Sequence, residues 1–234
     1  MGGSPDSVKL ALNRLKSQGV LASPARGFYV ILPPEYRGLG CLPPDQFIPD
    51  LMARAAMPYY AGLLSAAQFH GSAHQRPQEF QVVLPRNRRP IECGKVRVAF
   101  IARKSISKVP VQLFNTPRGT IRVSTIEATL VDLVGYPNRA GGLEITATII
   151  SELSERIDPF RLVEAAQTAP LPWAQRLGHL LEGVSGTETV APLKQYVRDS
   201  SAQWVPLSIG SSTASIKRDK EWKVDVNAAV EVEI

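Results

Sequence analysis

His70 and His74 are the first residues whose spacing suggests chemistry. They stand in FHGSAHQ, four apart, as two imidazoles on one helix face would be to share a metal ion. Gly71 and Ser72 interrupt the helix that would align them, and no carboxylate or third histidine lies close in sequence. A structural or surface role is therefore expected. Glu127 and Asp132 begin and follow a helix and read as capping and surface groups, not as an acid/base pair. Ser65 and Ser185 lack the glycines of a nucleophile elbow. Thr116-Pro117-Arg118-Gly119 is a hairpin turn, with no GK[ST] after it to make a phosphate loop. His179, in RLGHLLEG, reads as a packed or half-exposed residue of an apolar helix. Cys41 and Cys93 are too few and too far apart in sequence for a disulfide framework or a thiolate metal site. No catalytic residue, metal or cofactor is expected, and the chain reads as a non-enzyme.

The remaining chemistry is that of cations. Residues 1–123 carry seventeen Lys and Arg against six Asp and Glu; residues 124–234 carry ten against fifteen. A basic front half joined to an acidic back half points to a polyanion at the front and a different partner at the back. The 234 residues suffice for one large domain or two modest ones, and 44% hydrophobic with 21% charged residues is a globular balance. No apolar run approaches the roughly 18 residues that span a bilayer. MGGSPDS lacks the basic and apolar regions of a signal peptide, so a cytoplasmic location is expected.

The stretch that would present these cations runs from Ser4 to Leu32. Ser4-Pro5 starts a helix, with a hydroxyl cap and then proline at the first helical position. Val8, Ala11, Leu12 and Leu15 form one apolar stripe, and Gly19 ends the helix. Val20-Leu21 opens a short strand, Ser23 to Gly27 is a turn cluster, and Phe28 to Leu32 return. Helix, strand, basic tip and strand in this order look like the last helix and wing of a winged helix-turn-helix. The polar face carries Ser7, Lys9, Asn13 and Arg14, the side-chain types that reach base edges and phosphates, with Arg26 at the wing tip. Leu10, central on that face, would touch a thymine methyl or pack on a neighbouring element. The alternative is an ordinary basic helix and hairpin.

Pro33 to Asp45 has prolines at both ends and glycines between, and reads as a linker. A short helix through Leu51, Met52, Ala55 and Ala56 follows, then a buried helix from Tyr59 to His70. Phe80–Leu84 and Lys95–Ile101 read as paired strands. In the second, Val96, Val98 and Phe100 face one way and Lys95, Arg97 and Ala99 the other. Seven basic residues and one acid lie between Arg86 and Lys104. Arg86, Arg88, Arg89, Lys95 and Arg97 would either hold DNA phosphates or make a solvated edge that resists aggregation, with the edge favoured. A second hairpin joins Val111–Asn115 to Thr120–Val123. Ser124 then caps a helix with Glu127 three residues on, ending at Tyr136-Pro137. Helices follow at about 143–156, 159–167, 172–182 and 188–199, with strand-like segments at 204–209 and 221–226.

In this order the segments SVKLALNRLKSQGVL…GFYVIL, YYAGLLSAAQFHG, STIEATLVDLVGYPNRAGGLE, RLGHLLEG and WKVDVNAAVEVEI resemble the AbiEi family of antitoxins, from bacterial abortive-infection and type IV toxin–antitoxin systems. The resemblance covers nearly the whole chain. It implies an α+β protein: an N-terminal winged helix-turn-helix over residues 1–36, a linker at 37–44, and a larger mixed α/β antitoxin domain over 45–234, with β-hairpins and a helical back half. In that family the winged helix binds inverted repeats in double-stranded DNA of its own promoter and represses transcription. The C-terminal domain neutralises a nucleotidyltransferase-like toxin without a stable complex, in defence against phage. Two departures stand out. The chain begins almost on the recognition helix, so either the start is trimmed or the winged helix is incomplete, and both weaken DNA binding. The family's arginine after the glutamate of its TPERTLLD-like motif is Ala128 here, and its proline is Ile126. The rival reading is a protein-interaction module with an acidic helical back half; a third is a nuclease-like enzyme on the basic hairpin.

Overall fold

Ser4 caps the first helix, α1 (Pro5–Ser17), by accepting the Ser7 N–H at 3.3 Å, while Pro5 takes the first helical position, where no N–H is needed. The chain then enters β1 (Leu21–Ala25), which pairs antiparallel with β2 (Phe28–Ile31). The turn is shorter than the sequence suggested. Ser23, Pro24 and Ala25 belong to β1, whose register shifts between Ala22 and Ala25. Proline cannot donate to a ladder, and such an irregularity is where a strand accommodates it. Only Arg26 and Gly27 turn. The apolar stripe of α1 is also not buried as expected: Val8 is 50% and Leu15 37% exposed, and only Leu12 is half-buried. The helix packs chiefly on β1.

This computed structural model describes residues 4–72, 78–200, 202–209 and 217–229. The chain divides into two compact units built from interleaved stretches. Met1–Ala61, Pro77–Ile106 and Leu113–Arg122 form the first; Gly62–Arg76, Ser107–Gln112 and Val123–Ile234 form the second. They cut the chain differently from the sequence ranges 1–36, 37–44 and 45–234.

In the first unit the stretch read as a linker forms two short 3-10 turns, Pro34–Tyr36 and Pro44–Gln46, and buries Cys41 and Leu42 completely. Gln46 donates to the Tyr36 hydroxyl at 2.8 Å. Helix α2 (Ile48–Arg54) follows. The main sheet comprises β3 (Tyr60–Ala61), β4 (Phe80–Leu84), β5 (Ile91–Cys93), β6 (Val96–Ala102), β7 (Val111–Thr116) and β8 (Gly119–Ser124). Its order is β5-β6-β4-β3-β8-β7. The paired strands β4 and β6 run parallel, and β5 makes the antiparallel hairpin with β6. That places β6 inside the sheet, so the two-faced alternation expected of it fails: Ala99 is buried along with Val96 and Val98, while Phe100 is half-buried. Strands of a covered sheet lose the strict polar face that an exposed hairpin keeps.

The second unit is mostly helical: α3 (Leu63–Phe69), α4 (Ile126–Gly135), α5 (Leu143–Leu153), α6 (Pro159–Gln167), α7 (Leu171–Glu182) and α8 (Thr187–Asp199). A small sheet of β9 (Val205–Pro206), β10 (Lys217–Asp219) and β11 (Val224–Val226) has the order β10-β11-β9. The helix expected from Tyr59 to His70 splits in two. Tyr60 and Ala61 pair with Val83 and Val82, and Gly62 precedes the shorter α3. Helix α4 is the axis of this unit: every residue from Glu127 to Val134 is buried, and α3, α5, α6 and α7 pack around it.

Candidate functional site

Every basic residue singled out in the sequence falls in the first unit. On α1, Ser7, Lys9, Asn13 and Arg14 are exposed. The Ser7 hydroxyl is engaged locally, donating to the Ser4 carbonyl at 2.8 Å. Arg26 is exposed in the two-residue turn between β1 and β2. The second cluster, Arg86, Arg88, Arg89, Lys95 and Arg97, lies on and beside β5 and β6, and β5 is the terminal strand of its sheet. These groups are not equivalent. Arg86, Arg89 and Lys95 are exposed. Arg97 stands opposite Glu92 across the β5–β6 ladder, where opposite charges offset each other. Arg88 is half-buried with its guanidinium 5.1 Å from the centre of the Phe100 ring. Burial and the neighbouring Arg86 lower its pKa. Arg103, also part of the dense basic stretch, is a core residue, 5% exposed and donating to the Tyr60 hydroxyl at 3.0 Å.

Fold brings the two clusters together where sequence kept them apart, since β1 packs beside β5. The first unit carries fifteen Lys and Arg against six Asp and Glu, the second twelve against fifteen. Two further arginines support the hairpin. Arg54 donates to the Gly27 carbonyl at the turn, and Arg118 to the Ile31 carbonyl at 3.5 Å. Neither has a local sequence signal, because each reaches its carbonyl across a long stretch of chain.

In the second unit, STIEATLVD is a buried polar latch. Thr125, not Ser124, caps α4, accepting the Ala128 N–H at 3.3 Å. Ser124 and Thr129 share a hydroxyl hydrogen bond of 2.7 Å, and Thr129 also donates to the Thr125 carbonyl. Glu127 does not close a capping box. It is 4% exposed and accepts the Asp158 N–H at 3.2 Å; Asp132 is wholly buried, so neither carboxylate is a surface group. Ala128 is 1% exposed. His70 is buried, and its Nε2 donates to the Ser124 carbonyl at 2.7 Å. Burial outweighs that bond and lowers its pKa, with nearby Arg156 acting in the same direction and Glu127 against it. The histidine is thus a neutral structural tie. His74 lies outside the described residues.

RLGHLLEG on α7 is a docking strip for the C-terminal strands. Arg176 donates to the Pro206 carbonyl, and His179 Nδ1 meets Asp219 at 2.6 Å. Glu182 accepts the Trp222 indole N–H at 2.6 Å. A Cβ on Gly178 would stand 2.0 Å from the Trp222 ring, so only glycine allows this approach. Just upstream, Gln175 donates to the Gln203 and Trp222 carbonyls. Ser65 is fully buried on α3. Among the described residues no group of three or more His, Cys, Asp or Glu could hold a metal ion, and no helix is long and apolar enough to cross a membrane. Cys41 and Cys93, remote in sequence, are both free, and Cys93 Sγ lies 4.0 Å from the carbonyl of Gly40, the residue before Cys41.

Comparisons with known proteins bear on the second unit most directly. No curated protein sequence matches the chain. Among solved structures, the RV2827C protein from Mycobacterium tuberculosis superposes with a TM-score of 0.67 at 19% identity, over 95% of this chain and 80% of that one. That likeness extends to the fold. The antibiotic-resistance factor ANT(2'')-Ia is aligned over 65% of this chain and 88% of its own, at 15% identity and a TM-score of 0.28. The model of the AbiEi antitoxin C-terminal domain matches residues 60–183, which take in the latch, the whole docking strip and the basic β5–β6 stretch of the first unit. A match over more than half of its residues makes this chain a member of the AbiEi antitoxin family.

Proposed function

We propose that this protein is the antitoxin of a type IV toxin–antitoxin system, acting in the cytoplasm, that also represses its own operon by binding DNA. Family membership supports the antitoxin role. The observation that carries the DNA-binding role is the gathering of a helix, its hairpin and the basic β5–β6 edge in one unit with a +9 balance of charge. In this reading α1 is the recognition helix, β1 and β2 are the wing, and Arg26 is its tip. Lys9, Asn13 and Arg14, with Ser7, read the groove. Arg86, Arg89 and Lys95 add phosphate contacts, while Arg88 contributes less because its guanidinium lies over the Phe100 ring and Arg97 because it stands in register opposite Glu92. The second unit neutralises a nucleotidyltransferase-like toxin, without a stable complex, in phage defence.

The test is fluorescence anisotropy with duplex DNA from upstream of the gene, against a scrambled duplex, over a range of salt. A preference for the upstream duplex with a steep salt dependence is expected. Equal, weak binding of both duplexes at low salt would remove the repressor role and leave the rival reading, a protein-interaction module built on the acidic second unit.

A further inference from the structure

Beside the turn of the β5–β6 hairpin lies a pair of cysteines that neither role uses. Two glycines bring their backbones together. Gly94 has φ +60, and a Cβ there would stand 2.2 Å from the Leu39 carbonyl and 2.7 Å from the Gly40 Cα. The Lys95 N–H donates to that same Leu39 carbonyl at 2.7 Å. Cys41 follows one glycine and Cys93 precedes the other. Cys93 Sγ is 4.0 Å from the Gly40 carbonyl, and each thiol is close enough to shift the other's pKa. Both cysteines are free. Cys41 is fully buried, whereas Cys93 is half-exposed on the terminal strand of the sheet.

We propose that Cys41 and Cys93 are a redox-modification site, a dithiol that closes to an intramolecular disulfide on meeting a small-molecule disulfide. The two sulfurs have different parts to play. Cys93 is the attacking group: it alone faces solvent, and its pKa is lowered to about 7 by the hydrogen bond from Cys41, with the Ser23 backbone and the Lys16 charge helping against burial. Cys41 is held protonated, its pKa raised by that same hydrogen bond and by burial, and it resolves the intermediate. Cys93 thiolate attacks one sulfur of the oxidant; the S–S bond breaks, and the other half leaves as a thiolate. Cys41 then gives its proton to solvent and attacks the Cys93 sulfur of the mixed disulfide, expelling the second thiolate. Two protein thiols are oxidised, and one small disulfide is reduced to two thiols. The product ties the end of the 3-10 stretch to β5, beside the β1–β2 hairpin.

The experiment incubates the full chain with oxidised glutathione at neutral pH, then denatures it, alkylates with N-ethylmaleimide and weighs it. The expected product takes no maleimide, is lighter by two hydrogens, and yields a peptide joining residues 41 and 93 on digestion without reductant. Dithiothreitol restores two reactive thiols. The Cys41→Ala variant stops at a glutathione adduct on Cys93, and the folded Cys93→Ala variant takes none. Wild-type protein that keeps both thiols, or that ends as a stable glutathione adduct, overturns the proposal. Should either variant fail to fold, the wild-type peptide map alone decides between these outcomes.

Discussion

A histidine whose pKa is lowered by folding makes a protein sensitive to acid, and His70 is such a residue. Its folded pKa lies below the ordinary value of about 6.5 because burial opposes the charged ring. Above about pH 6.5 the ring is neutral in both states and contributes no pH dependence. Below it the unfolded chain binds a proton that the folded chain refuses, so stability falls by up to about 1.4 kcal/mol per pH unit until the folded pKa is passed. His70→Gln keeps a donor for the Ser124 carbonyl but does not titrate. Urea unfolding at about pH 7 and pH 5 should therefore show a smaller acid loss in the variant than in wild type; equal losses would place the acid sensitivity elsewhere. A structural or surface role was the expectation from FHGSAHQ; the partner was not legible, since the Ser124 carbonyl lies far along the chain. The arginines divide on the same ground. Arg89→Ala should lower the salt slope of DNA binding by about one, whereas Arg88→Ala also removes a ring contact with Phe100 and so lowers stability as well.

At the scale of elements, local chemistry was legible and partnership was not. The helices expected at 159–167 and 188–199 match α6 and, to within one residue, α8. The parallel pairing of β4 with β6 was hidden, because alternation identifies a strand without naming its neighbour. So was the break between β3 and α3, where pairing of Tyr60 and Ala61 with β4 overrides their place in an apolar run. RLGHLLEG is the clearest case: its apolar spacing gives a helix, but Gly178 is explained only by the Trp222 ring lying on it. Gly178→Ala should force that ring away and cost about 1–3 kcal/mol, read as a lower urea midpoint with a shift in tryptophan emission. An unchanged midpoint would mean that the C-terminal strands are held by the side-chain hydrogen bonds alone.

The whole molecule separates its chemistry between units. Positive charge collects in the first, and the second, whose core carries most of the family match, is mildly acidic. If the units divide the labour in the same way, substitutions should separate the two activities. Arg14→Ala with Arg89→Ala changes only exposed side chains of the first unit, so the fold and toxin neutralisation should persist. DNA affinity should fall by about 1 kcal/mol or more, roughly fivefold or greater. Trp222→Ala empties a fully buried site of the second unit and leaves the Glu182 carboxylate without the indole donor. A large aromatic truncated in a core costs about 3–5 kcal/mol, so rescue of cells from the toxin should fail first, while any folded fraction still binds DNA. Growth rescue and anisotropy measured on both variants decide the matter. Loss of both activities in the arginine double variant would show that neutralisation runs through the DNA-binding surface, and the two units would then have to be read as one functional site.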